Sequence, residues 1–291
     1  MHLSAARLLA AGQFELPRKT LILATALGVA TQYIAFRFQA ATLAHTGFAD
    51  QFVHAIGSFN VFQVFAYVAA LRLIFNGEVY VKAGSSDFAL TTLIALGAGL
   101  AGATGEILIL DIAVSLAAII VFRVLRNDRN ERAAAFVFGA LTLQAIWGPW
   151  LFALTASEIL RVETFVVGSL LHLLSPAVVW NGSVFVAPDA HSIIVIEGCS
   201  AFANILLAML CWTSMTMWDR QYWRTTDIFI GLAMYASVVA VNTLRLCLMA
   251  QSASNYQFLH NSPGATLIGL IVTVMLPAFC WSGLQLTERR P

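Results

Sequence analysis

Charge is what this chain has least of: 11% of its 291 residues are Asp, Glu, Lys or Arg, against about 25% in ordinary soluble domains. With 59% apolar residues and a mean hydropathy of +0.81, it has too little polar surface to cover a soluble domain of this size, so the chain reads as a polytopic membrane protein. The formal net charge is +1, so no basic excess points to nucleic acid. The sequence also lacks internal repeats, low-complexity tracts and long linkers, which leaves one membrane domain. No His-Glu-x-x-His, Gly-x-Ser-x-Gly or P-loop pattern occurs, so a zinc protease, a serine hydrolase of the elbow type and an ATP-driven transporter have no support. No metal or cofactor is expected.

Apolar runs long enough to cross a bilayer, at roughly 20 residues each, lie near 20–36, 56–75, 88–104, 106–122, 134–154, 201–218, 226–250 and 265–284. The expected fold is therefore all-α, with about eight spans, or six if two segments are re-entrant or interfacial. The run 97–106 (GAGLAGATGE) reads as a tight hairpin between two helices. Segment 20–36 follows a basic start and is longer than a signal-peptide apolar core of roughly 7–15 residues, so an uncleaved signal anchor is preferred. With the N-terminus inside, 13 of the 16 basic residues fall on the cytoplasmic side and only Arg37, Arg161 and Arg245 on the outer side; the reverse orientation breaks the positive-inside rule. Both termini are then cytoplasmic. The basic run 123–132 (RVLRNDRNER) reads as an inner-face anchor touching lipid head groups. Arg37, Glu106 and Asp111 fall in the outer half, where Arg37 paired with one of the acids is the simplest reading.

Between an N-terminal helical half (1–154) and a C-terminal one (199–291), residues 155–198 change pattern and are expected to form a small outer cap. Residues 158–175 have early charges and apolar residues at helical spacing, the signature of an amphipathic interfacial helix ended by Pro176. The segment 178–186 (VVWNGSVFV) carries a hairpin signal at Asn181-Gly182. A third short run, 192–200 (SIIVIEGCS), delivers the chain to Cys199.

Of four cysteines, Cys211, Cys247 and Cys280 sit among apolar neighbours inside spans and read as buried small hydrophobes. Cys199 differs. It follows Glu197-Gly198, precedes Ser200, and stands where an extended run hands over to a helix, whose positive end lowers a thiol's pKa. A disulfide to Cys247 is the competing reading. Arg245 lies in an apolar span, where a guanidinium is costly. It is either an ion-pair partner of an outer acid such as Glu106, Asp111 or Glu197, or a fixed donor fork for a thiolate or oxyanion. Asn242, three residues earlier, shares its face. His260, in the loop before the last span, can hold and return a proton near neutral pH; His191 and His172 are its competitors.

The order Cys199-Ser200 at a helix start, then Asn242-x-x-Arg245 late in the next helix, then His260 in the following loop resembles the exosortase/archaeosortase family over about 175–275. Where the family often has Ala-Cys-Ser-Gly, this chain has Gly198-Cys199-Ser200-Ala201. The resemblance implies a multi-pass enzyme of the bacterial inner membrane, with its site on the extracytoplasmic side. It implies a cysteine protease or transpeptidase that cleaves C-terminal sorting signals of exported proteins, whose transmembrane tails it meets within the lipid. Cys199 is then the nucleophile, Arg245 the charge stabiliser and His260 the third member, with Asn242, Ser200 and Glu197 in support. Two readings from other classes stand beside it: a small-solute transporter using Arg37, Asp111 and Arg245, and a non-catalytic membrane assembly factor. Oligomeric state is not legible.

Overall fold

The computed structural model describes residues 20–21, 60–76, 84–104, 129–189, 191–260 and 264–288. The expected spans 20–36 (but for Thr20 and Leu21) and 106–122, the residues Arg37, Glu106 and Asp111, and both termini lie outside them. The chain divides into two compact units, Met1–Gly139 and Ala140–Pro291, each taken by itself here.

In the first unit, α1 (Val61–Phe75) starts at a capping box: Asn60 Oδ1 accepts from Phe62 N at 2.9 Å, and Gln63 Oε1 accepts from Asn60 N. Its C-cap residue Asn76 offers a carbonyl to Asn130 Nδ2 at 3.1 Å. At 15 residues α1 is about 22 Å long, short of a bilayer core of about 30 Å. Helix α2 (Ser85–Thr104) begins with Asp87 Oδ2 accepting from Gly84 N at 2.8 Å. It stays helical through Gly97 and Gly99 to Thr104, so the glycine-rich run is not itself the turn.

Helix α3 (Arg129–Thr142) carries the chain into the second unit, where a π-turn (Leu143–Trp147) leads to α4 (Gly148–Leu174). Here the sequence reading needs correcting. The break expected near 155, between a span at 134–154 and an interfacial helix at 158–175, falls instead at 143–148, and α4 runs unbroken for 27 residues. Pro149 accounts for the shift: lacking an N–H, it is best accommodated in a first helical turn, and the helix restarts there. The far end is as expected, at Ser175 just before Pro176.

The hairpin segment and the third short run at 192–200 supply the three strands of the cap. β1 (Val179–Asn181), β2 (Val184–Val186) and β3 (Ser192–Ile194) form an antiparallel sheet in that order. The two loop residues are Gly182-Ser183, one position later than expected; Gly182 has φ 60, the first-position demand of a II′ turn. Strand alternation points Phe185 and its partner Ile193 inward, both buried, while Val186, Ser192 and Ile194 face out. Trp180 lies over α4 at Gly168, where a Cβ would come within 2.4 Å of its ring. The glycine is therefore required by close approach.

Helices α5 (Phe202–Asp219), α6 (Thr226–Met249), α7 (Ala253–His260) and α8 (Gly264–Glu288) complete the unit. Two helices are long and apolar enough to cross a membrane, Thr226–Met249 and Gly264–Leu286; the broken pair Arg129–Ala145 and Gly148–Leu174 makes a third if counted as one span. The eight expected spans thus reduce, among the described residues, to two or three helices with the length and composition to cross. A buried apolar cluster joins α4 (Val167, Leu171), the sheet (Phe185, Ile193, Val195), Cys199, the end of α6 (Leu246, Cys247, Met249) and α7 (Leu259). It fixes the cap against the ends of α6 and α7, and that is where the singled-out residues meet.

Candidate functional site

Cys199 ends a 3-10 turn, Glu197–Cys199, whose amide bonds to Ile196 O at 2.8 Å. Helix α5 starts only at Phe202, so the thiol precedes the helix by one short turn instead of occupying its first residues. That places Ser200 and the Ala201 amide, not the Cys199 side chain, at the positive end of the helix.

A carboxylate that sequence reasoning passed over fills this position. Glu163, on α4, accepts through Oε1 from Ser200 Oγ and from Ala201 N, both at 2.9 Å, while Ser200 Oγ accepts from Phe202 N at 3.1 Å. It acts as a helix cap supplied from another element, placing negative charge where the α5 dipole favours it. Its second oxygen, Oε2, is buried with no partner. The signal was present in the sequence: Glu163 stands four and eight residues before the buried Val167 and Leu171, a carboxylate on a face that otherwise turns inward. Glu197, the acid nominated for support, has an exposed side chain and contributes its carbonyl, which accepts from Ser200 N at 3.1 Å.

Asn242 ties α6 to the cysteine turn. It is 6% exposed, and its Nδ2 donates to Cys199 O at 2.8 Å. One turn on, the half-buried Arg245 donates through Nη2 to Leu259 O at 3.4 Å, and its Nε is buried with no partner. Leu259 directly precedes His260, so Arg245 also anchors the histidine's segment. α7 is held against the start of α8 by Gly264, where a Cβ would come within 2.2 Å of Phe258 O.

Both competing histidines approach this end of the molecule. Tyr256 lies between them, with its ring 4.8 Å from that of His260, nearly parallel, and 5.3 Å from that of His191. His260 is exposed; His191 is half-buried, and its Nε2 has no partner. His172 is exposed in the last turn of α4.

Asn242 thus meets the cysteine turn, and Arg245 meets the α7 end. No hydrogen bond joins the Cys199 thiol, 8% exposed, to Arg245 or to either histidine. All four cysteines are free. Cys247 shares the buried cluster with Cys199, but its thiol faces Val167 O at 3.8 Å. Among the described residues no group of three or more His, Cys, Asp or Glu is placed to hold a metal ion.

Chemically, the set comprises a shielded thiol, a guanidinium with a spare donor, an amide fixing the thiol's backbone, and two imidazoles joined through a phenol. Compared with family models, with curated proteins and with solved structures, the chain finds no match.

Proposed function

We propose that the protein is a membrane-embedded cysteine protease or transpeptidase acting on the C-terminal sorting signals of exported proteins, as its resemblance to the exosortase/archaeosortase family implies. One observation carries the reading. Three short segments far apart in sequence, Cys199-Ser200, Asn242-x-x-Arg245 and Leu259-His260, are drawn to one end of the same unit by the Asn242–Cys199 and Arg245–Leu259 hydrogen bonds.

In the proposed reaction the Cys199 thiol gives its proton to an imidazole, and its sulfur attacks a peptide carbonyl near the start of a substrate's transmembrane tail. Arg245 offers donors to the developing oxyanion. The imidazolium returns the proton to the departing amine, leaving a thioester on Cys199. Water then releases an acid, or an amine acceptor takes the acyl group. His260 fills the proton role by motif position. Asn242 positions the turn without touching substrate. The basic-residue distribution supports an inner-membrane orientation with cytoplasmic termini and an extracytoplasmic site.

The test is the size of C-terminally tagged candidate substrates in cells carrying His260→Gln, Arg245→Lys or wild type at equal abundance. The proposal expects strong loss of cleavage with both, because lysine keeps the charge of Arg245 but not its donor fork. Normal cleavage with both variants overturns it.

A further inference from the structure

Sulfur collects at a second place, in the helical core of the same unit. Cys211 on α5 and Cys280 on α8 have their Sγ atoms 3.6 Å apart, with 1% and 0% exposure. Each has a thioether beside it: Met215 Sδ lies 3.9 Å from Cys211 Sγ, and Met234 Sδ, on α6, lies 3.8 Å from Cys280 Sγ. Three helices therefore contribute four soft donors in one run of contacts, Met215–Cys211–Cys280–Met234, and both thiols are free.

Those separations have a chemical meaning. Metal–thiolate bonds are about 2.3 Å long, so the edges of a tetrahedral sulfur site are about 3.8 Å. The three contacts span 3.6 to 3.9 Å, so each neighbouring pair of sulfurs already stands at the spacing of two ligands on one ion. Thiolates with thioethers select Cu(I), while oxygen-preferring ions are disfavoured. Charge favours the same ion: one thiol proton lost to one Cu(I) leaves a neutral unit, and an apolar core resists net charge.

A cavity adjoins the group at Met234. It measures about 620 Å³, lies between α5 and α6, is lined by Met234 and Trp212 and extends to Trp223, Arg224 and Asp227 beside the loop joining these helices. Met234 thus belongs both to the cavity wall and to the sulfur group.

We propose that Cys211, Cys280, Met215 and Met234 form a binding site for a single Cu(I) ion, entered through this cavity. Binding replaces one thiol proton, which leaves to solvent; the remaining thiol and the thioethers complete the coordination, and no electron is transferred. The inference is independent of the reaction proposed at Cys199.

The test is anaerobic titration of the detergent-purified full chain with Cu(I) against a chromophoric Cu(I) chelator, with Ag(I) as the redox-inert stand-in and Zn(II) as the contrast. The expected result is one equivalent of Cu(I) or Ag(I) per chain in wild type and in Cys247→Ser, loss of that equivalent in Cys211→Ser and Cys280→Ser, and weaker binding in Met234→Leu. Should the cysteine variants fail to fold, the Cys247→Ser chain decides: X-ray absorption should show the bound Cu(I) with a sulfur-only first shell at about 2.3 Å, and a shell of nitrogen or oxygen overturns the proposal. Absence of binding, binding that survives loss of both cysteines, preference for Zn(II), or isolation of the pair as a disulfide overturns the proposal.

Discussion

The two ends of the α5–α6 pair differ in how their ionisable side chains are partnered. At the loop end, Arg220 and the 3% exposed Asp227 form a buried ion pair, and the second oxygen of Asp227 accepts from Arg224 N at 2.7 Å. The carboxylate has a donor on each oxygen. At the Cys199 end, Arg245 Nε, Glu163 Oε2 and His191 Nε2 are each buried with no partner. A buried polar atom left unpaired costs about 1–3 kcal/mol; at the loop end such atoms include the hydroxyls of Thr216 and Thr226, whereas at the Cys199 end the three named belong to ionisable side chains. The loop end joins its carboxylate to two donors; the Cys199 end leaves part of three ionisable side chains without a partner, a feature that supports the reaction proposed there.

The largest effect should come from breaking the loop end. Asp227→Ala removes the carboxylate that holds the buried Arg220 guanidinium, a loss of about 3–5 kcal/mol, read as a lower thermal unfolding midpoint in detergent. A loss below 1 kcal/mol would show that this end is not the fastening it resembles. Next, Gly168→Leu should push Trp180 off α4 and cost about 1–3 kcal/mol through overpacking; tryptophan fluorescence and limited proteolysis of the cap report the displacement, and Gly168→Ala should show a milder version. Third, Glu163→Ala removes the cap shared by Ser200 and Ala201 and should cost about 1 kcal/mol, while lowering substrate processing by more than that loss of stability explains. If processing merely follows protein abundance, Glu163 is a structural cap and the contrast between the ends weakens. The smallest effect has the opposite sign. Gln221, in the loop that carries Arg220, sits at φ 62, a conformation costing a side chain about 1 kcal/mol, so Gln221→Gly should raise the unfolding midpoint slightly.

How much of this was readable in advance depended on the range of the interactions. Local periodicity revealed α6 and α8, and the turn chemistry at Asn181-Gly182 revealed the hairpin to within one residue. Cys199, Asn242, Arg245 and His260 were legible because their residue types are expensive or reactive where they stand. The joining of 134–154 to 158–175 was missed because Pro149 was read as part of a span, when its missing N–H favours a helix start. Glu163 was missed because its role exists only through Ser200, 37 positions away. The Cys211–Cys280 contact, 69 positions apart, was hidden for the same reason: each cysteine alone looks like a small apolar residue.

The measurement that tests the central claim most directly is the fate of a C-terminally tagged candidate substrate in cells expressing wild type, Cys199→Ala or Cys247→Ala at matched abundance. The proposed chemistry predicts that cleavage is abolished by Cys199→Ala and kept by Cys247→Ala, with a hydroxylamine-sensitive enzyme–substrate adduct found only when Cys199 is present. Normal cleavage by Cys199→Ala would contradict it and leave the Cys199 turn a structural joint between the cap and α5.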